Sequence, residues 1–150
     1  MRELNFPTYD FKVKRDGDKL QIFDRIRKKW FILQPEEWVR QHVIWFLIEE
    51  KKYPESLIAI EKSLKVNQLT KRFDIVLYNT NATPIMIIEC KAPEIKIDDK
   101  TLHQALRYNS VIKAPYLLLT NGIDSCCGKI NFTNASFSYL NDIPHFDEID

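Results

Sequence analysis

Asp74, Glu89 and Lys91 carry the types and spacing on which chemistry could be built: an acid, a second acid after fourteen intervening residues, and a lysine two positions on. Phe73 to Tyr78 reads as one strand and Pro84 to Cys90 as the next, joined by the turn-rich Asn79-Thr-Asn-Ala-Thr83. Side chains alternate along a strand, so Glu89 and Lys91 share a face and Cys90 points away. In an antiparallel hairpin closed by the even loop Thr80 to Thr83, Asn79 faces Pro84 and Asp74 faces Glu89, with Cβ atoms about 5 Å apart. The expectation is one patch holding Asp74, Glu89 and Lys91.

Two directly opposed carboxylates repel, and a hard divalent cation removes the penalty. Mg²⁺ fits best, with Mn²⁺ as a substitute, and Asp74 and Glu89 as its ligands. Such an ion polarises a phosphodiester and acidifies a bound water, while a lysine neutralises developing charge. The bland alternative is an ordinary exposed strand end. Against it stand the apolar runs Ile75 to Leu77 and Ile85 to Ile88, because charges at the ends of buried strands are costly unless used.

The elements that must position these residues follow from periodicity. Phe11 to Arg15, Lys19 to Phe23 and Lys29 to Leu33 read as N-terminal strands, the first two joined at Asp16-Gly-Asp18. Pro35-Glu36-Glu37 opens a helix, with Val39, Val43, Phe46 and Leu47 as its apolar stripe and Glu36 and Arg40 off it; Tyr53-Pro54 stops it. Leu57 to Lys65 is a strand before the hairpin. A second helix covers about Asp98 to Ile112, with Leu102, Ala105, Leu106 and Asn109 inward. Tyr116 to Thr120 is a buried strand, and Lys129 to Phe132 and Ala135 to Leu140 add edge strands. Gln104 and Tyr108, at i and i+4, share a face of the second helix and can orient a phosphate or hold a catalytic carboxylate or lysine. Glu37 could add a third carboxylate, with Glu36 its rival in the same turn.

The bulk properties suit one domain with a real core: 150 residues, 45% hydrophobic and 29% charged. The first eighteen residues have no signal-like apolar region and no run is long enough to span a membrane. Three cysteines, two of them adjacent, make a poor disulfide framework, so a reducing cytoplasm is expected. Net charge is +1, but residues 1–30 hold nine Lys/Arg against five Asp/Glu. If that face meets DNA, affinity should be weak, with a homodimer or a partner supplying the rest.

Together, Pro35-Glu-Glu37-x2-Arg40-Gln41, Phe73-Asp74, Ile88-Glu89-Cys-Lys91-Ala-Pro93, Gln104-x3-Tyr108 and Tyr116-Leu-Leu-Leu-Thr-Asn-Gly122 resemble the N-terminal nuclease domain of type I restriction enzyme R subunits. The resemblance implies an α/β fold with a PD-(D/E)XK restriction-endonuclease-like core, αβββαβ, in which a mixed central sheet is flanked by helices. The expected layout is a β-rich N-terminal extension (1–34), this core (35–122) and C-terminal strands and tail (123–150). It implies Asp74, Glu89 and Glu37 as acids of the metal site, Lys91 as the catalytic lysine and Gln104 and Tyr108 as a supporting QxxxY pair. It also implies Mg²⁺-dependent DNA cleavage, with DNA and a translocase or restriction-modification subunits as partners. Phe73 stands where the motif name has proline, and no Walker A motif is present. A nuclease fold kept only for docking DNA or protein is the alternative reading.

Overall fold

The apolar runs around Asp74 and Glu89 form the middle of a six-stranded mixed sheet in the computed structural model, which describes residues 1–149. Three N-terminal strands, β1 (Val13–Asp16), β2 (Lys19–Asp24) and β3 (Lys29–Ile32), make a separate antiparallel sheet. Helix α1 (Pro35–Glu49) follows, then β4 (Ile58–Val66), β5 (Leu69–Tyr78), β6 (Pro84–Cys90), α2 (Asp99–Ile112), β7 (Tyr116–Thr120), β8 (Ser125–Asn131), β9 (Ser136–Leu140) and the short α3 (Phe146–Ile149). The order of elements from residue 35 to residue 120 is the expected one. In the main sheet β4 to β9 lie side by side in chain order. Only β6 and β7 are parallel, as the α2 crossover between them requires. No helix among the described residues is long and apolar enough to cross a membrane. Asp150, the end of the expected tail, lies outside the described residues.

The sheet is covered on both faces, which is why β6 and β7 are almost continuously apolar. On one face Val39, Val43 and Leu47 of α1 pack with Ile75, Leu77, Met86, Ile88 and Leu118. On the other, Leu102 of α2 packs with Phe73, Val76, Ile87, Leu117 and Leu119. The start of α2 is fixed by Asp98, whose carboxylate accepts the Thr101 N–H at 2.9 Å. Its end is fixed by Asn109, whose amide bonds both the N–H and C=O of Ala114. That pairing explains how a polar residue of the inner stripe can be fully buried.

Two expectations are corrected. The hairpin pairs Tyr78, not Asn79, with Pro84, and a bulge between Leu77 and Tyr78 restores the register Leu77↔Met86, Val76↔Ile87 and Ile75↔Ile88. Pro84 has no N–H to complete a ladder. Asn79 instead closes the loop, its side chain accepting from the N–H groups of Asn81 and Thr83. Continued by one step, the register sets Asp74 opposite Glu89. Second, Arg40 is not on a solvated flank of α1: it is 5% exposed, and Gln41 beside it is fully buried. Both are enclosed by ion pairs and hydrogen bonds reaching from β2, β4 and β5.

Candidate active site

The strand pair β4–β5 changes faces at the point where the site is built. Leu64, Val66 and Phe73 belong to the α2 side of the sheet, whereas Ile58, Ile60, Ile75 and Leu77 belong to the α1 side. Strict alternation would put Phe73 and Ile75 together, so the chain must turn over between them. The partner strand turns over at the same level, where Glu61 adopts a left-handed backbone (φ 51°) and the Ile60↔Ile75 and Lys62↔Phe73 pairs flank it. Asp74 is therefore the residue at the crossover.

The consequence is a divided acid pair rather than one flat patch. The Asp74 carboxylate accepts the Cys90 N–H at 2.7 Å and lies 3.4 Å from the Arg40 guanidinium of α1. Glu89 and Lys91 line a cleft beneath α2, with Lys71, Phe73, Thr101, Gln104 and Tyr108. The Glu89 carboxylate reaches back to the Asp74 N–H at 3.4 Å. Each acid thus takes a backbone donor belonging to the other strand, and the two carboxylates straddle one strand junction.

Electrostatics follow from this geometry. Burial, then the neighbouring Asp74 charge, pushes the Glu89 carboxyl from its ordinary 4.5 up to about 7, only partly offset by Lys71 and Lys91. Lys71 stands 3.9 Å from Glu89 and 5.2 Å from the ring centroids of both Phe73 and Tyr108. Among the described residues no ion pair engages the Lys91 ammonium, leaving it available to a ligand. A carboxyl raised on folding supports the fold while protonated, and that support is lost as pH rises from 4.5 through 7. Glu89→Gln should therefore raise metal-free stability near pH 8 and flatten the stability profile across that window, as read by urea denaturation in EDTA. An unchanged profile would show that Glu89 ionises freely.

The helix acids are placed differently from one another. Glu37 is held by Arg27 (2.9 Å), Gln41 (3.1 Å) and Arg40 (3.5 Å), away from the acid pair. Glu36 is the one that feels Asp74: its carboxyl is raised by burial first and by Asp74 next, against Arg40 and Lys91. Among the described residues no three of His, Cys, Asp and Glu converge closely enough to hold a metal between them. Glu89, Lys91, Gln104 and Tyr108 do come together around the cleft, whereas the Asp74 carboxylate is held at the strand junction by the Cys90 N–H and Arg40. Lys71 and Arg40 were missed as site residues. Lys71 shares the face of Phe73 two positions on, and Arg40 is one helical turn from both helix acids, so strand and helix spacing carried a signal for each.

Residues 35–144 match the family described as "Type I restriction enzyme R protein N terminus (HSDR_N)". The chain belongs to that family. The type I restriction enzyme R protein N terminus assignment bears out the resemblance carried by the motifs. Over 74 residues the chain is also 28% identical to the "Type I restriction enzyme EcoAI endonuclease subunit" of Escherichia coli, an alignment covering 49% of this chain and 9% of that protein. It thus spans about a tenth of the curated relative's length.

Proposed function

We propose that this domain is a Mg²⁺-dependent endodeoxyribonuclease of the PD-(D/E)XK kind, hydrolysing DNA phosphodiester bonds. The observation that carries the reading is the cleft that gathers Glu89, Lys91, Gln104 and Tyr108, with Asp74 at the strand junction beside it, its N–H bonded to the Glu89 carboxylate. The donor set fits Mg²⁺, which takes one or two carboxylates and keeps several waters. The cleft holds about 70 Å³, enough for several waters. Glu89, reluctant to ionise beside Asp74, is a carboxyl that a cation would favour in its charged form.

Asp74 and Glu89 would hold the ion, with Mn²⁺ able to replace Mg²⁺. When bound, the ion supplies a polarised phosphate and a water acidified toward hydroxide. Arg40 aims Asp74, and Glu37 acts through Arg40 rather than at the ion. Lys91 faces the cleft as a mobile point charge and neutralises the oxygens that gain charge as the water attacks. Gln104 and Tyr108, one turn apart on α2, orient the phosphate or Lys91 from the opposite wall. DNA is the substrate, and a translocating motor and restriction-modification subunits are the partners.

The test is incubation of the purified chain with supercoiled plasmid. Nicked or linear product is expected with Mg²⁺ or Mn²⁺ and none in EDTA; intact plasmid with every metal and DNA form, from folded protein, would reject the reading. A docking module is favoured by one observation, that Arg40 and Lys71 already stand against the two acids. Such a module would show no Mg²⁺-linked rise in melting temperature, whereas a metal site gains about 2.7 kcal/mol at a hundred times its Kd.

A further inference from the structure

The N-terminal sheet leaves one face without a partner in the fold. Residues opposed across the ladders share a face, and one face holds the two fully buried residues of this sheet, Ile22 and Asp24. The other face carries Lys14, Gln21, Phe23, Trp30 and Ile32, joined by Lys12 at the end of β1. Trp30 is 37% exposed and Ile32 45%. Lys12 lies over the Phe23 ring at 5.6 Å and Lys14 over the Trp30 ring at 4.3 Å, with the two rings edge to face at 5.4 Å. Lys28 is exposed in the turn at the same end of the sheet. Among the described residues none of these three lysines is in an ion pair with an acid; the exposed acids of this sheet, Asp16 and Asp18, sit at the opposite tip.

We propose that this face is a docking platform for single-stranded DNA, with bases stacked on Trp30 and Phe23 and phosphates met by Lys12, Lys14 and Lys28. The exposed Trp30 ring and the half-buried Phe23 ring, interleaved with lysines that no acid pairs, match a polyanion whose bases are free to stack. In a duplex the base faces are already covered. Stacking of a base outweighs an exposed lysine–ring contact, so Lys14 can leave Trp30 for a phosphate. A groove lined by Trp30, Ile32 and Arg40 and by the acids Glu36, Glu37 and Glu61 borders this platform. The inference rests on DNA being the substrate, but its test does not depend on cleavage.

The test is fluorescence anisotropy of a labelled oligothymidine and of a labelled duplex of equal length, titrated with the full chain in EDTA at low salt. The wild type should prefer the single strand. Trp30→Ala should weaken single-strand binding about tenfold, and Lys12→Glu with Lys14→Glu should weaken it further and reduce its salt dependence. Melting curves check the fold, and the lysine pair, exposed on β1 and its edge, keeps the test available if Trp30→Ala unfolds. Equal or tighter binding of the duplex, or wild-type affinity in the lysine variant, overturns the platform. Plasmid cleavage by the wild type is scored separately, so loss of the platform and loss of the nuclease reading give different results.

Discussion

Lys91→Ala should lower Mg²⁺-dependent DNA cleavage by about 10²–10³-fold, the usual cost of removing one group that stabilises transition-state charge. The chain isolates this residue well for such a measurement. Lys91 is held by its backbone, whose N–H donates to the Thr120 carbonyl at 2.8 Å, and that bond survives truncation of the side chain. Among the described residues its ammonium is in no ion pair, so the fold should lose no more than about 0.5 kcal/mol. Lys91→Arg should rescue little, because a planar fork cannot take the place of a compact ammonium. Single-turnover plasmid nicking, paired with thermal denaturation, separates the two effects. A Lys91→Ala protein that cleaves within a few-fold of wild type would remove the lysine from the chemistry.

The order α1, β4, β5, β6, α2, β7 was legible because each element announces its burial by spacing: three-and-four on the helices, unbroken apolar runs on strands covered on both faces. The pairing of Asp74 with Glu89 was legible from loop length, though through two departures that cancel, a loop one residue longer and a compensating bulge. The side on which Asp74 presents its carboxylate was not legible. It depends on a reversal of faces in which a non-glycine residue, Glu61, adopts a left-handed backbone, and no alternation pattern records that. The placement of Glu37 was equally hidden. Its partner Arg27 comes from the turn between β2 and β3, and a charged residue read singly looks like surface.

Asp24 is the least legible residue of all, and its removal carries the largest expected cost to the fold. Nothing in Phe23-Asp24-Arg25 marks it as interior, yet it is fully buried. Its carboxylate accepts four hydrogen bonds: the N–H groups of Ile26 and Arg27 at 2.7 and 2.9 Å, Arg27 Nε at 2.7 Å and Gln41 Nε2 at 2.9 Å. Burial alone would raise its pKa, but the Arg27 N–H, Gln41 and the Arg27 guanidinium outweigh it, so the carboxyl stays below the usual range. Asp24→Ala removes the acceptor of the Ile26 and Arg27 N–H groups and, from the Arg27 guanidinium and the Gln41 amide, one of two hydrogen-bond acceptors, the other being Glu37, at about 1–3 kcal/mol. For a domain of this size that lowers the melting temperature by roughly 2–4 °C per kcal/mol. A carboxyl depressed on folding stabilises above its ordinary 3.8, and that contribution disappears as pH falls through the lower folded value, so the variant should also show a shallower acid transition. The loss should not stay local. Arg27 bridges Asp24 to Glu37, Glu37 reaches Arg40, and Arg40 reaches Asp74. Loosening the first member should cut cleavage more than the fraction unfolded explains, while exposed Asp18→Ala changes neither. If Asp24→Ala melts within a degree of wild type, the buried chain of charges does not anchor the site, and Asp74 must be aimed by the Cys90 N–H alone.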